Sequence, residues 1–317
     1  MALYFELREA MLKESWFFLE EHWSQDSPLD ALFTAQHSWL NEELSQYYGI
    51  ELGGAPQNAD GFARVRVGET RPGGVLTHGS FLTTHASPTS SSPIHRGVIV
   101  RERVLCEELP PPPEGLDVEP PEFDPALTTR ERFAAHTDNP ECFGCHRLID
   151  HLGFGFEGYD GIGRHRIEEG GLPVDTAGTL VQTQGEDLDF NGVGELAENL
   201  AGSEQVKRCY VRQWLRFSIG ETEGLDTECY LDNLTDGFER DGARITSPLR
   251  GLTRLAHFMR RTGGAEEGDV PGGGLTTTVP GVPADVQDPG IPPADLMNVA
   301  CGAPPAPSNG PQFNAPG

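Results

Sequence analysis

Cys142-Phe143-Gly144-Cys145-His146 is the stretch from which the rest of this chain is read. If the segment opens a helix, thiols three residues apart share one face, and each can form a thioether to a vinyl group of a c-type haem. His146 follows at once, placed to bind the iron from the proximal side. A thioredoxin-like redox pair needs a βαβ setting, and a structural zinc site needs a second ligand pair. Neither is evident, since Cys106, Cys209, Cys229 and Cys301 are widely scattered and form no further CxxC.

The flanks extend a mainly α reading. Thr128 and Glu131 have capping-box spacing, so a short helix carrying Phe133 and His136 is expected before the break at Asn139-Pro140. Beyond the motif, Ile149 to Gly163 alternates glycines with aromatic residues. Glycines allow close backbone approach and flat side chains pack on a flat ligand, so the segment reads as a haem wall or as a tight loop packed on the core. Arg164 to Leu180, around Gly170-Gly171, fits a small β-hairpin. From Val193 the pattern is again helical, over 194–201, 205–219 and two more helices through Arg260.

Toward the N-terminus, Leu3, Leu7, Met11, Leu12, Phe18 and Leu19 recur at near-helical spacing, and Asp30 to Tyr48 continues as helix until Gly49. Trp16, Phe17, Phe18 and Trp23 are read as packing residues. Phe62 to Val67 alternates as one short strand inside a loop, Gly74 to Thr77 opens a second helical region, and Ile94 to Leu105 is a further helix. Pro110 to Pro113 cannot continue it and starts a stiff, acidic linker to Pro125. The organisation expected is an N-terminal helical region (1–109), a proline-rich linker (110–127), the CxxCH region (128–192), a C-terminal helical region (193–262) and a tail (263–317). That tail, rich in Gly and Pro and nearly devoid of aromatics, is expected to be disordered.

The 317 residues carry a net charge of −26, which argues against nucleic acid or an anionic membrane surface as partner and suits basic redox partners or upstream domains of the same polypeptide. No apolar run approaches the ~20 residues of a membrane span, and Met1 to Glu6 is not a secretory signal. Haem attachment and disulfides belong to an oxidising compartment, so a periplasmic or cell-surface location is expected, with an export signal upstream or a start site placed too late. Cys209 and Cys229 fall on two successive helices at a spacing that suits a disulfide pinning a helical hairpin. Connectivity stays open, with Cys106 and Cys301 left to pair with each other, with one of these, or to remain free.

Ser92-Pro93-Ile94-His95-Arg96-Gly97, Leu105-Cys106, the polyproline run and Cys142 to His146 with Ile149-Asp150, Gly153-Phe154, Glu157, Tyr159-Asp160 and Ile162-Gly163 resemble the cytochrome c-like domain of unknown function 1588. Trp39 to Leu44 and Tyr48-Gly49-Ile50 resemble the end of domain of unknown function 1592. Arg208-Cys209, Trp214, Phe217 to Gly220 and Asp226 resemble domain of unknown function 1585. The resemblance covers roughly Met1 to Arg261 and implies a c-type haem protein of planctomycete or myxobacterial type, longer at its N-terminus. His151 stands where that family typically has proline.

The sixth iron position separates electron transfer from chemistry on a small ligand. Met1, Met11, Met259 and Met297 are the methionines, and none lies within a hundred residues downstream of His146. His136 is therefore the first candidate distal ligand, being one short helix upstream and at a family histidine, followed by His85 and His151; for each, a structural histidine is the plainer reading. Three functions follow: an exported c-type electron-transfer module; a haem-dependent enzyme or accessory using peroxide or oxygen at the cell surface; and a scaffold without haem. No Ser-His-Asp, paired-carboxylate or phosphate-loop pattern marks an independent active site.

Overall fold

In the computed structural model, the residues described are 2–109, 121–122, 124–137, 140–181, 186–220 and 225–255. Most of the proline-rich linker, the tail, Met259, Met297 and Cys301 lie outside them. Two compact units are present. The first takes Met1–Tyr210 with Gly242–Thr246, so it includes residues on both sides of the linker; the second takes Val211–Asp241 with Ser247–Gly317.

The fold is mainly α. The first unit runs α1 (Ala2–Ser24), α2 (Ala31–Thr34), β1 (His37–Leu40), α3 (Glu42–Tyr48), β2 (Ala63–Arg66), α4 (Gly79–Thr84), α5 (Pro93–Ile99) with a π-helical turn at Val100–Val104, α6 (Thr129–Thr137) and α7 (Pro140–Phe154). It continues through β3 (Glu168–Glu169), β4 (Leu172–Pro173), β5 (Ala177–Leu180), β6 (Leu188–Asn191) and α8 (Gly192–Ala201) into α9 (Glu204–Ile219), on which the unit boundary falls. The strands pair as antiparallel two-stranded ribbons, β1 with β2, β3 with β4 and β5 with β6. In the second unit α10 (Leu225–Arg240) packs on α11 (Ser247–Leu252), where Gly251 lets the helices meet at Leu234.

Two expectations need correction. Asp30 to Tyr48 is not continuous helix: β1 interrupts it because Ser38 and Leu40 alternate inward, and Ser38 Oγ donates to the buried Glu14 carboxylate at 2.8 Å. Asn41 then starts α3 afresh, its side chain accepting from Leu44 N. The expected Cys209–Cys229 bridge is not made either. Cys209 is bonded to Cys106, with Cα atoms 5.3 Å apart and 103 residues between them in sequence. A bridge needs that kind of Cα proximity, and the chain after the π-turn brings Cys106 to Cys209. Cys229 is itself disulfide-bonded.

Three imidazoles cluster around Phe18 at the end of α1. Its ring lies 4.5 Å from that of His22, 4.7 Å from His78 and 5.7 Å from His37, centroid to centroid. His78 Nδ1 pairs with Ser15 Oγ, and His37 Nε2 sits 3.3 Å from Glu21 Oε2, an ion-pair distance without hydrogen-bond alignment. Both ring nitrogens of buried His22 lack a partner among the described residues. Burial pushes all three below the usual histidine range, His78 to about 4.

Two outcomes are expected. Opening the Cys106–Cys209 loop by Cys209→Ala removes a cross-link across about a hundred residues, and chemical denaturation should record a loss of about 2–4 kcal/mol; non-reducing peptide mapping of the parent chain should recover the Cys106–Cys209 pair. The cluster should make the first unit acid-labile. Each histidine is held neutral when folded, so the unfolded chain binds more protons below about pH 6.5 and stability falls from there toward pH 4. His22→Phe should raise the denaturation midpoint by the equivalent of about 1 kcal/mol, the low end of what an unpartnered buried polar group costs, and flatten the acid slope.

Candidate functional site

Helix α7 carries the motif, and its two ends do different work. Ile149, Leu152 and Phe154 are buried, whereas Phe143, Gly144 and Arg147 are exposed and Cys145 and His146 sit half-buried at the border. Residues 142 and 145 are one turn apart on this helix and residue 146 follows. The side chains of Cys142 and His136 lie outside the described residues. Cys145 carries a free thiol, and a Cβ built at Gly144 meets nothing within 4 Å.

The imidazole of His146 is oriented by its own helix. Its Nδ1 lies 2.8 Å from Oδ1 of Asp150, one turn on, while Nε2 makes no hydrogen bond among the described residues. The hydrogen bond to Asp150 raises the imidazole above its usual pKa, against burial. Asp150 appears in the sequence reading only as part of a family motif; a His and an Asp four apart on a helix is the signal that identifies it.

Close backbone crossings fix α7. It packs against α5, β5 and α6. A Cβ on Gly97 of α5 would stand 2.2 Å from the carbonyl oxygen of Ile149, and one on Gly153 of α7 would stand 1.9 Å from that of Pro93, so glycine is required on both sides. The glycine-aromatic segment that follows is a tight loop packed on the core, not an open wall: Phe154, Phe156 and Tyr159 are buried and Gly155 lies against Phe190. Buried Arg96 holds this loop, donating to the carbonyls of Phe156, Tyr159, Asp160 and Leu82 at 2.8–3.1 Å. On the other flank the capping box forms as expected, with Thr128 N donating to Glu131 and Glu131 N to Thr128 Oγ1. Arg130 of α6 lies over the Phe154 ring at 4.6 Å.

The other candidate ligands sit elsewhere. His85 caps the end of α4 and packs edge-on against Phe81 at 5.0 Å, its imidazole lowered by burial and then by His95 and Arg96. His151 is five residues beyond His146, about 140° around the helix, with its ring against Phe154. Among the described residues no group of three or more His, Cys, Asp or Glu is arranged to hold a metal ion, and no helix is long and apolar enough to cross a membrane. The free thiol, the unengaged Nε2 and the open face beside Gly144 fit covalent attachment of a planar macrocycle.

Three family models match the chain: the protein of unknown function DUF1592 over residues 3–50, DUF1588 over 72–169 and DUF1585 over 186–258. The chain thus carries this domain set, with the whole of α7 inside the DUF1588 segment. Neither the curated proteins nor the solved structures include a match.

Gly153→Ala should displace α5 from α7 and cost about 3 kcal/mol or more, beyond ordinary overpacking because the atom met is backbone, read by urea denaturation.

Proposed function

We propose that this chain is an exported c-type haem protein whose α7 carries the haem, acting as an electron-transfer module of a larger polypeptide or complex. The observation that carries the reading is the coincidence, on one helix turn, of the free Cys145 thiol, the neighbouring Cys142 position and His146 with Nδ1 engaged and Nε2 unengaged. When bound, such a haem supplies one-electron exchange at its iron or, with an open sixth position, binding of a small ligand.

Each residue has a stated part. Cys142 and Cys145 would hold the macrocycle through thioethers, each S–H adding across a vinyl group, on the exposed side of α7. His146 presents Nε2 as proximal ligand, with Nδ1 held by Asp150. The Cys106–Cys209 disulfide supports an oxidising compartment, the periplasm or cell surface. The net charge of −26 suits basic redox partners met at an acidic surface. His136 is the first candidate for the distal position.

The test is a pyridine haemochrome assay on protein matured in a c-type haem-loading host. Covalent haem is expected in the parent chain and lost or strongly reduced in Cys142→Ala and Cys145→Ala. Haem that survives denaturation at parental levels in both variants overturns the assignment, as does a parent chain without haem. A low-spin spectrum indifferent to cyanide and carbon monoxide supports the electron carrier; a high-spin, ligand-binding spectrum overturns that role in favour of peroxide or oxygen chemistry.

A further inference from the structure

We infer that Asp150 is a positioning residue for the proximal imidazole: its buried carboxylate, hydrogen-bonded to His146 Nδ1, leaves Nε2 free for iron and biases the haem toward its ferric, low-potential state. This rests on the haem reading above and goes beyond it by specifying the direction in which the site is tuned.

The geometry separates this pair from an ordinary i,i+4 contact in water. Asp150 is 4% exposed, and its oxygen lies 2.8 Å from Nδ1 of the half-buried His146. No other hydrogen bond or ion pair reaches this carboxylate among the described residues. Arg101, which approaches the same helix, commits its guanidinium to the carbonyls of Leu148 and Val181 and to Glu107. The charge of Asp150 is therefore directed at one group, His146.

Two effects follow from elementary chemistry. A carboxylate accepting from Nδ1–H fixes the tautomer whose lone pair is on Nε2, and it pushes electron density into the ring, making Nε2 a stronger donor. The same negative charge, on a carboxylate itself buried, stabilises ferric over ferrous iron. When bound, the haem would exchange a single electron with one-electron redox proteins, so oxidised donor and reduced acceptor balance it. The proton stays on Nδ1 throughout. A haem tuned in this way resists reduction and readily passes its electron on.

The experiment is a dithionite–ferricyanide titration of the haem-loaded full chain, comparing the parent with Asp150→Asn and Asp150→Glu. The potential should move upward in Asp150→Asn, which keeps the shape and loses the charge, and return toward the parental value in Asp150→Glu. An unchanged potential in loaded Asp150→Asn overturns this inference while leaving the haem reading intact; a parent chain with no covalent haem overturns both. Should Asp150→Asn fail to mature, proton NMR of the parent holoprotein decides: the Nδ1 proton of His146 is expected far downfield and in slow exchange with water, and a freely exchanging proton overturns the assignment.

Discussion

A single guanidinium organises the core beneath α7. Arg96 is fully buried, and its two terminal nitrogens donate to four backbone carbonyls from two separate stretches, Leu82 on one side and Phe156, Tyr159 and Asp160 on the other. Those oxygens sit where a polar group left without a donor costs about 1–3 kcal/mol apiece. The planar fork reaches all four at once, which an ammonium does not. Burial lowers its pKa to about 10, so it remains a cation at any physiological pH. Close by, Glu157 is buried with Ser91 and Arg166 as partners at 2.9 and 2.7 Å, giving the charge a counterpart without direct contact.

That anchoring explains why α7 is packed at one end and open at the other. Gly97 and Gly153 let α5 and α7 approach until backbone meets side-chain space, and Arg96, next to Gly97, catches the loop that leaves α7. The helix axis is thereby set by its C-terminal half. The motif occupies the N-terminal half, where Phe143 and Gly144 face outward and nothing packs over them among the described residues. Attachment chemistry at such a site does not have to displace core side chains.

Periodicity and capping made most of the helices legible: α1, the α5 region, α6 through its Thr128–Glu131 box, and α8 to α11 all lie where 3.6-residue patterns and breakers put them. What stayed hidden depends on contacts far apart in sequence. β1 has only four residues, and His37-Ser38-Trp39-Leu40 is strand because it pairs with Ala63 to Arg66 and because Glu14 accepts from Ser38. The Cys106–Cys209 bridge joins residues that no local spacing relates. The glycine-aromatic segment allowed two readings because glycine permits close approach to a ligand and to a neighbouring helix alike; only the positions of Pro93 and Phe190 decide between them. At the site, Cys142, Cys145 and His146 were legible as a motif; the four-residue spacing of His146 and Asp150 marks them as a pair, but only the burial of Asp150 separates that pair from a surface ion pair.

The pairing of His146 with Asp150 also carries an energetic argument. A carboxylate taken out of water costs several kcal/mol unless it is partnered, so α7 gains no stability from Asp150 that a small apolar residue would not match. Its neighbours Ile149 and Leu152 show that this helix buries apolar side chains readily. Retaining an acid there makes sense where the imidazole it grips must hold a proton on Nδ1 and offer Nε2 outward, against the preference of free histidine to sample both tautomers. The cost of the buried charge is then borne by the same contact that prepares the ligand, and the stability that α7 forgoes is supplied from elsewhere, by Arg96, the glycine crossing and the disulfide.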